Sequence, residues 1–265
     1  MNTILITGIT VGGIGAAAGA ALAVASRFLS VRDDPRVEKV AGVLPGVNCG
    51  GCGYAGCADY AKAIVLNDAP INLCSAGGQE VLEKVAEVMG KEADAEEKKA
   101  AIVLCGGDLD KAPRRFEYNG VADCAAAAAV DGGDKACGYG CLGYGSCARV
   151  CPVGAIEIKH CLAYVHPDVC IGCGACVNAC PRGLIKLVPV SRQIHVVCSS
   201  KDRGAAVKKV CKVGCIGCTK CAKNVDSKQI TMDGALAVVD YDKPLENEKL
   251  VELCPGNCIV KRKLQ

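Results

Sequence analysis

Twenty-two cysteines in 265 residues dominate the chemistry this chain can do, and their spacing sorts them. The run 170-CIGCGACVNACP-181 has the C-x2-C-x2-C-x3-C-P spacing whose thiolates hold iron–sulfur clusters. A later run, 215-CIGCTKCAKNV-225, begins in the same way but carries Val225 at the place of the fourth cysteine. Near the start, 45-PGVNCGGCGYAGCADYAKAIV-65 sets Cys49, Cys52 and Cys57 among glycines that let the backbone curl round a cluster, with a helix beginning at Ala58. Cys74 is the nearest fourth ligand, so Cys49, Cys52, Cys57 and Cys74 form one expected [4Fe-4S] set. Zinc competes for such thiolates, and the iron–sulfur spacing of the later runs weighs against it. Disulfides are the other common use of many cysteines. C-x2-C clusters beside Gly and Pro suit metal thiolates in a reducing compartment instead.

A tandem repeat accounts for Val225. A shift of 74 residues places Cys124 on Cys198, Cys137 on Cys211, Cys141 on Cys215, Cys147 on Cys221 and Cys180 on Cys254; 162-LAYV-165 then falls on 236-LAVV-239. In two-cluster ferredoxins the first three cysteines of each run bind one cluster and the fourth, before Pro, ligates the other. That rule assigns one cluster to Cys151, Cys170, Cys173 and Cys176. The run 137-CGYGCLGYGSCARVCP-152 has Tyr144 where the second repeat has Cys218, so its cluster is expected on Cys137, Cys141, Cys147 and Cys180. In the second repeat the counterparts of Cys151, Cys170, Cys173 and Cys176 are Val225, Pro244, Asn247 and Leu250, so that cluster is lost whole. The surviving set is Cys215, Cys218, Cys221 and Cys254. Two further cysteines follow apolar, strand-like runs, 102-IVLCGGD-108 and 196-VVCSSKD-202. A fifth cluster between the repeats is expected on Cys105, Cys124, Cys198 and Cys211, with small buried hydrophobes as the competing reading. Cys161 and Cys258 are read as non-ligands. His160, His166 and His195 read as ordinary turn and strand residues, because no set lacks a cysteine they would replace.

These ligands need elements to carry them. Residues 1–29 begin with an uncharged stretch, Met1 to Ser26, long enough as a helix to cross the ~30 Å hydrocarbon core. Arg27, Arg32, Arg36 and Lys39 follow, which by the positive-inside rule places the rest of the chain in the cytoplasm. Gly8/Gly12 and Gly15/Gly19 leave a smooth face for another membrane helix. A cleavable signal peptide is disfavoured by the missing basic n-region. A dinucleotide fingerprint at 13-GIGAAA-18 lacks its βαβ continuation. Residues 30–90 read as a small iron–sulfur domain with a following polar helix, and 100–265 as the duplicated part, its repeats near 120–185 and 194–259. Each ferredoxin half reads as ligand loop, short helix and hairpin, as in 155-AIEIKHCLAYVHPD-168. The fold class is α+β: one N-terminal transmembrane helix, a small cysteine-rich iron–sulfur domain and a tandemly duplicated bacterial ferredoxin-like domain. With no Trp and two Phe, the clusters take the place of a large apolar core. A net charge of +3 without a lysine-rich, aromatic-interleaved stripe argues against nucleic acid as a partner.

The uncharged N-terminal helix, the GVNCGGCGYAGC group with its distal cysteine, and the ferredoxin runs after an LCGG strand together resemble the B subunit of Rnf-type ion-translocating ferredoxin:NAD oxidoreductase complexes. The resemblance implies an electron-input subunit of a translocating oxidoreductase (Na+ or H+) in the cytoplasmic membrane. Reduced ferredoxin would dock on the cytoplasmic part, and electrons would pass along [4Fe-4S] clusters, five or at least four, to flavin- and iron-bearing membrane subunits. A chain of sites with no flavin or nicotinamide fingerprint and no paired acid and base fits a conduit. The competing readings are a membrane-anchored polyferredoxin serving another oxidoreductase and an iron–sulfur scaffold or corrinoid-pathway protein. Arg114, Arg115, Lys208, Lys209 and Lys212 are the expected docking cations for an acidic ferredoxin.

Overall fold

The computed structural model describes residues 2–28, 34–93, 97–226 and 228–264. Arg32 and the expected boundary at residue 29 lie outside the described residues. The first helix, α1 (Asn2–Phe28), is 27 residues long. Its stretch Gly8–Ser26 is exposed, and by length and composition it suffices to cross a membrane.

Three helices build the next unit: α2 (Pro35–Val43), α3 (Cys57–Leu66) and α4 (Gly78–Met89). Asp34 caps α2 by accepting from the Arg36 N–H, and Pro35 supplies a preset first helical residue. The three bury Val40, Tyr60, Ile64 and Val85 in one small core. The stretch expected as a polar helix contributes Leu82, Val85 and Ala86 to the buried face of α4, which ends at Gly90 in the left-handed conformation.

Beyond it the chain is built from two-stranded antiparallel sheets and short helices. The first repeat has β1 (Lys99–Val103), α5 (Cys124–Ala129), α6 (Ser146–Arg149), the hairpin β2 (Ile156–Lys159) with β3 (Leu162–Val165), α7 (Ala175–Ala179) and β4 (Ile185–Pro189). The second has β5 (Ile194–Val196), α8 (Gly204–Val210), α9 (Lys220–Lys223), the hairpin β6 (Ile230–Asp233) with β7 (Leu236–Val239), α10 (Lys249–Leu253) and β8 (Ile259–Lys261). A shift of 74 carries α6, β2, β3 and α7 onto α9, β6, β7 and α10. The hairpin registers correspond, with Ile156 opposite Val165 and Ile230 opposite Val239. His160 and Cys161 both have positive φ at the β2–β3 turn, which suits the twist of a tight hairpin.

The outer sheets relate the repeats in a second way. β1 pairs with β4, placing Val103 opposite Ile185, and β5 pairs with β8, placing Val196 opposite Ile259. Since β8 is the counterpart of β4, β5 is the counterpart of β1. Cys105 and Cys198, each two residues past its strand, therefore occupy equivalent places. Each repeat has its own apolar core, with Tyr241 packing against both.

Candidate metal centres

In the N-terminal unit, Asn48 adopts a left-handed backbone and turns its side chain onto the start of α3. Its Oδ1 accepts the Cys57 N–H at 2.8 Å. One turn on, buried Tyr60 donates to Pro70 O at 2.7 Å and accepts the Leu73 N–H at 3.1 Å, which pins the Cys74 loop against α3. Cys49, Cys52, Cys57 and Cys74 consequently line one cavity, site A.

Cys151, Cys170, Cys173 and Cys176 lie close together, as site B. The Ala101 N–H of β1 donates to Cys170 Sγ at 3.4 Å, and the Ala155 N–H to Cys151 Sγ at 3.2 Å. Burial pushes the Cys176 thiol up to about 12, and the neighbouring Cys170, Cys173, Cys147 and Cys151 add to it. At the far end, Cys215, Cys218, Cys221 and Cys254 line site E.

The two middle sets differ from the expected pairing. Cys124, not Cys137, lines the cavity with Cys141, Cys147 and Cys180, site C. Cys137 instead joins Cys105, Cys198 and Cys211 around site D. The reason lies in α5. Asp123 caps it by accepting the Ala125 and Ala126 N–H groups, accepts the Ser146 hydroxyl at 2.7 Å and pairs with Arg149 at 2.7 Å. The Cys124 N–H donates to Ser146 Oγ at 2.8 Å, so Cys124 is clamped onto α6 beside Cys147. Cys124 thus stands in for the cysteine that Tyr144 replaces, while the Tyr144 hydroxyl donates to buried Asp134 at 2.7 Å. Site D is then symmetric between the repeats: Cys105 and Cys137 face their equivalents Cys198 and Cys211.

These surroundings suit four-iron clusters. All 22 cysteines are free thiols. Among the described residues no three His, Cys, Asp or Glu side chains converge on a single-ion position; the thiols of sites A, C, D and E line cavities instead. Backbone N–H groups point at sulfur, from Cys141 to Cys105 Sγ at 3.4 Å, Leu184 to Cys180 Sγ at 3.4 Å and Ala237 to Cys215 Sγ at 3.3 Å. Such donors favour thiolate and tune bound clusters. Gly107 keeps site D open, because a Cβ there would lie 3.2 Å from Cys211 Sγ. Burial pushes the Cys147 and Cys198 thiols each up to about 11, so metal loading must displace protons from these pockets.

The sites form a series. A Cβ on Gly51 of site A would lie 2.4 Å from Cys173 O of site B. Cys176 of site B and Cys147 of site C are close enough to raise the former's pKa. The Cys141 N–H of site C donates to Cys105 Sγ of site D. Cys198 of site D and Cys215 of site E interact through a backbone hydrogen bond and through charge.

Known proteins match this arrangement. A family model described as an Fe-S cluster matches residues 44–76, and one described as a 4Fe-4S binding domain matches 163–186. A Methanosarcina acetivorans protein, named as the B subunit of an ion-translocating oxidoreductase complex, is 41% identical over 261 residues, 98% of this chain and 99% of its own length. The B subunit of the Na(+)-translocating ferredoxin:NAD(+) oxidoreductase complex of Acetobacterium woodii is 43% identical, over 98% of this chain and 78% of its own length. The proton-translocating counterpart from Clostridium ljungdahlii is 45% identical, over 91% and 85%. The chain belongs to this family of B subunits.

As a B subunit it is an electron-transfer component of an ion-translocating oxidoreductase, and the 4Fe-4S match agrees with that role. The B subunit also carries polar groups beside its sites. Arg182 donates to Cys137 O at 2.9 Å and Gly140 O at 2.7 Å, pinning the loop that feeds sites C and D. Buried Lys135 binds Gly107 O and Cys161 O across the same loop. Cys161 accepts from Arg114 at the hairpin turn, outside the five sets. Cys258 is buried in the lining of site E, its Sγ 3.6 Å from Cys254 Sγ. It keeps its proton, and by hydrogen bonding lowers the Cys254 thiol to about 5 and the Cys215 thiol to about 6. Sequence spacing misses Cys258 because its counterpart is Leu184. No histidine lines sites A, C, D or E. His195 is buried in β5, 3.1 Å from the Tyr241 hydroxyl.

Proposed function

We propose that this B subunit passes electrons along five [4Fe-4S] sites, held by Cys49, Cys52, Cys57 and Cys74 (A); Cys151, Cys170, Cys173 and Cys176 (B); Cys124, Cys141, Cys147 and Cys180 (C); Cys105, Cys137, Cys198 and Cys211 (D); and Cys215, Cys218, Cys221 and Cys254 (E). A bound [4Fe-4S] cluster supplies reversible one-electron storage without proton chemistry at the ligands. The protein's part is to hold the thiolates, supply N–H donors to their sulfurs and exclude water. The observation that carries this reading is the series of neighbouring thiol sets, from Gly51 beside Cys173, through Cys176 near Cys147 and the Cys141 N–H on Cys105, to Cys198 near Cys215.

In this reading ferredoxin is the donor and flavin-bearing membrane subunits are the acceptors; the relatives' names supply the ferredoxin. Residues 1–29 hold the protein to the cytoplasmic membrane as a single pass, with 30–90 and 100–265 as cytoplasmic units carrying site A and sites B to E. The relatives' names include both Na+ and proton translocation, and pumping of either ion belongs to the assembly, because one helix without intramembrane charge offers no ion path. Iron and acid-labile sulfide analysis of the anaerobically purified full chain tests the site count. About twenty irons per chain are expected; about sixteen would remove one site from the series.

A further inference from the structure

Of the 22 cysteines, only Cys218 is exposed. It belongs to site E, which follows site D in the series; site A, next in sequence to α1, stands at the other end. The segment that carries Cys218 is strongly one-signed in sequence. Residues 201–223 hold seven Lys or Arg against one acid, Asp202. Lys201 is neutralised by Asp233 at 2.7 Å. Arg203, Lys208, Lys209, Lys212, Lys220 and Lys223 are not buried and have no ion-pair partner among the described residues. Two elements carry four of them, Lys208, Lys209, Lys220 and Lys223, next to the ligand loop. Lys220 and Lys223 lie on α9, which begins two residues after Cys218. α8 leans on the ligand loop itself, since a Cβ at Gly204 would lie 2.6 Å from Ile216 O.

The equivalent stretch of the first repeat, 127–149, has two cations and two acids, and Lys135 there is buried. The cationic collar is therefore not a by-product of the repeat. Arg114 and Arg115, expected as docking cations, are tied back into the fold through Asp134 and Cys161 and through Asp131 and Gly133.

We infer that the α8–α9 face around Cys218 is the docking surface for an acidic one-electron carrier protein, and that electrons enter the series at site E. The inference rests on the electron-relay reading. Cations steer an acidic partner into contact, and a cluster held by exposed Cys218 would be reachable from the surface over a short distance. In each encounter the carrier loses one electron and site E gains one, and no bond forms or breaks.

The test uses the full chain in detergent and an acidic two-cluster ferredoxin as probe. Affinity for the oxidised ferredoxin is measured by surface plasmon resonance across ionic strength, and reduction of the chain by the reduced ferredoxin is followed by stopped-flow absorbance. Lys208→Glu/Lys209→Glu and Lys220→Glu/Lys223→Glu are each expected to weaken binding about tenfold or more at low salt and to flatten its salt dependence. Iron content and the rate of reduction by dithionite stay at the wild-type values. Lys39→Glu/Lys62→Glu, two reversals on the N-terminal helices, leaves binding unchanged. Wild-type affinity in both α8 and α9 variants, or an equal loss in the control, overturns the docking surface while leaving the relay intact. A wild-type chain that neither binds nor accepts electrons from reduced ferredoxin overturns the relay reading as well.

Discussion

The two repeats share their hairpins, short helices and outer sheets, yet fill the space between them differently. In the first repeat Cys151, Cys170, Cys173 and Cys176 surround site B. At the corresponding places the second repeat has Val225, Pro244, Asn247 and Leu250. Leu250 is fully buried, Leu245 is buried beside it, and Val225 packs against the same core. Hydrocarbon fills the places that cysteines hold in the first repeat, and the hairpin β6–β7 keeps the register of β2–β3. A set of four thiols and an apolar cluster are here alternative ways of organising the same small scaffold. This follows from the poverty of large apolar side chains in the chain: a unit of this size buries too little surface by itself and needs either metal or a compact aliphatic core.

The largest effect that would break this comparison concerns the exchange of Cys124 and Cys137. If Cys137 and Cys198 bind one cluster, the double variant Cys137→Ser/Cys198→Ser loses about four irons, no more than either single variant. Cys124→Ser/Cys198→Ser, removing ligands from two different sites, loses about eight. Iron analysis of these proteins decides between the two pairings, and the reverse pattern would restore the one expected from the 74-residue shift.

A smaller effect tests whether hydrocarbon has replaced site B in the second repeat. Leu250→Ala should destabilise the second repeat by about 3 kcal/mol through lost burial and the cavity left behind. Hydrogen exchange should show the loss in β6, β7 and α10, with protection of β2 and β3 unchanged. Chelation of iron should do the opposite, lowering protection in β2, β3 and α7 more than in their second-repeat counterparts.

Much of this is legible in the residues alone. The run at 170–181 singles out three cysteines that the fold brings together, and the crossover rule adds Cys151, which lies near them, and Cys180, which lines the site C cavity. The hairpins follow from two-residue alternation either side of a turn. The 74-residue shift groups Cys124 and Cys137 differently from the cavities of sites C and D because it aligns Cys124 with Cys198, whereas in the fold Cys198 answers to Cys105. That equivalence is set by strand pairing, β1 on β4 and β5 on β8, between residues more than sixty apart, and a longer loop between β1 and α6 changes the offset. The similarity of 102-IVLCGGD-108 to 196-VVCSSKD-202 is the signal that could have found it. The buried side of α4 is hidden by its charge: Leu82, Val85 and Ala86 follow helical spacing, but they are few among Glu and Lys. The contact of His195 with Tyr241 depends on two segments brought together only by tertiary packing.

The smallest predicted effect separates the repeats at a single atom. Leu184 packs behind Cys180 in the first repeat, and Cys258 takes its place behind Cys254. Cys258 is 2% exposed and does not belong to the four-thiol set, so its use is as a donor. A thiol proton shared with Cys254 and Cys215 stabilises the more negative, reduced state of site E more than the oxidised one. Cys258→Leu makes the second repeat resemble the first and removes that donor. A loss of about 1 kcal/mol in differential stabilisation lowers a one-electron potential by roughly 40 mV. Redox titration followed by electron paramagnetic resonance should show one signal shifted downward by that order and the others unmoved, with iron content unchanged. Cys258→Ser keeps a hydroxyl donor and should recover part of the shift. A potential that does not move in Cys258→Leu would reduce Cys258 to packing and remove one of the differences between the repeats.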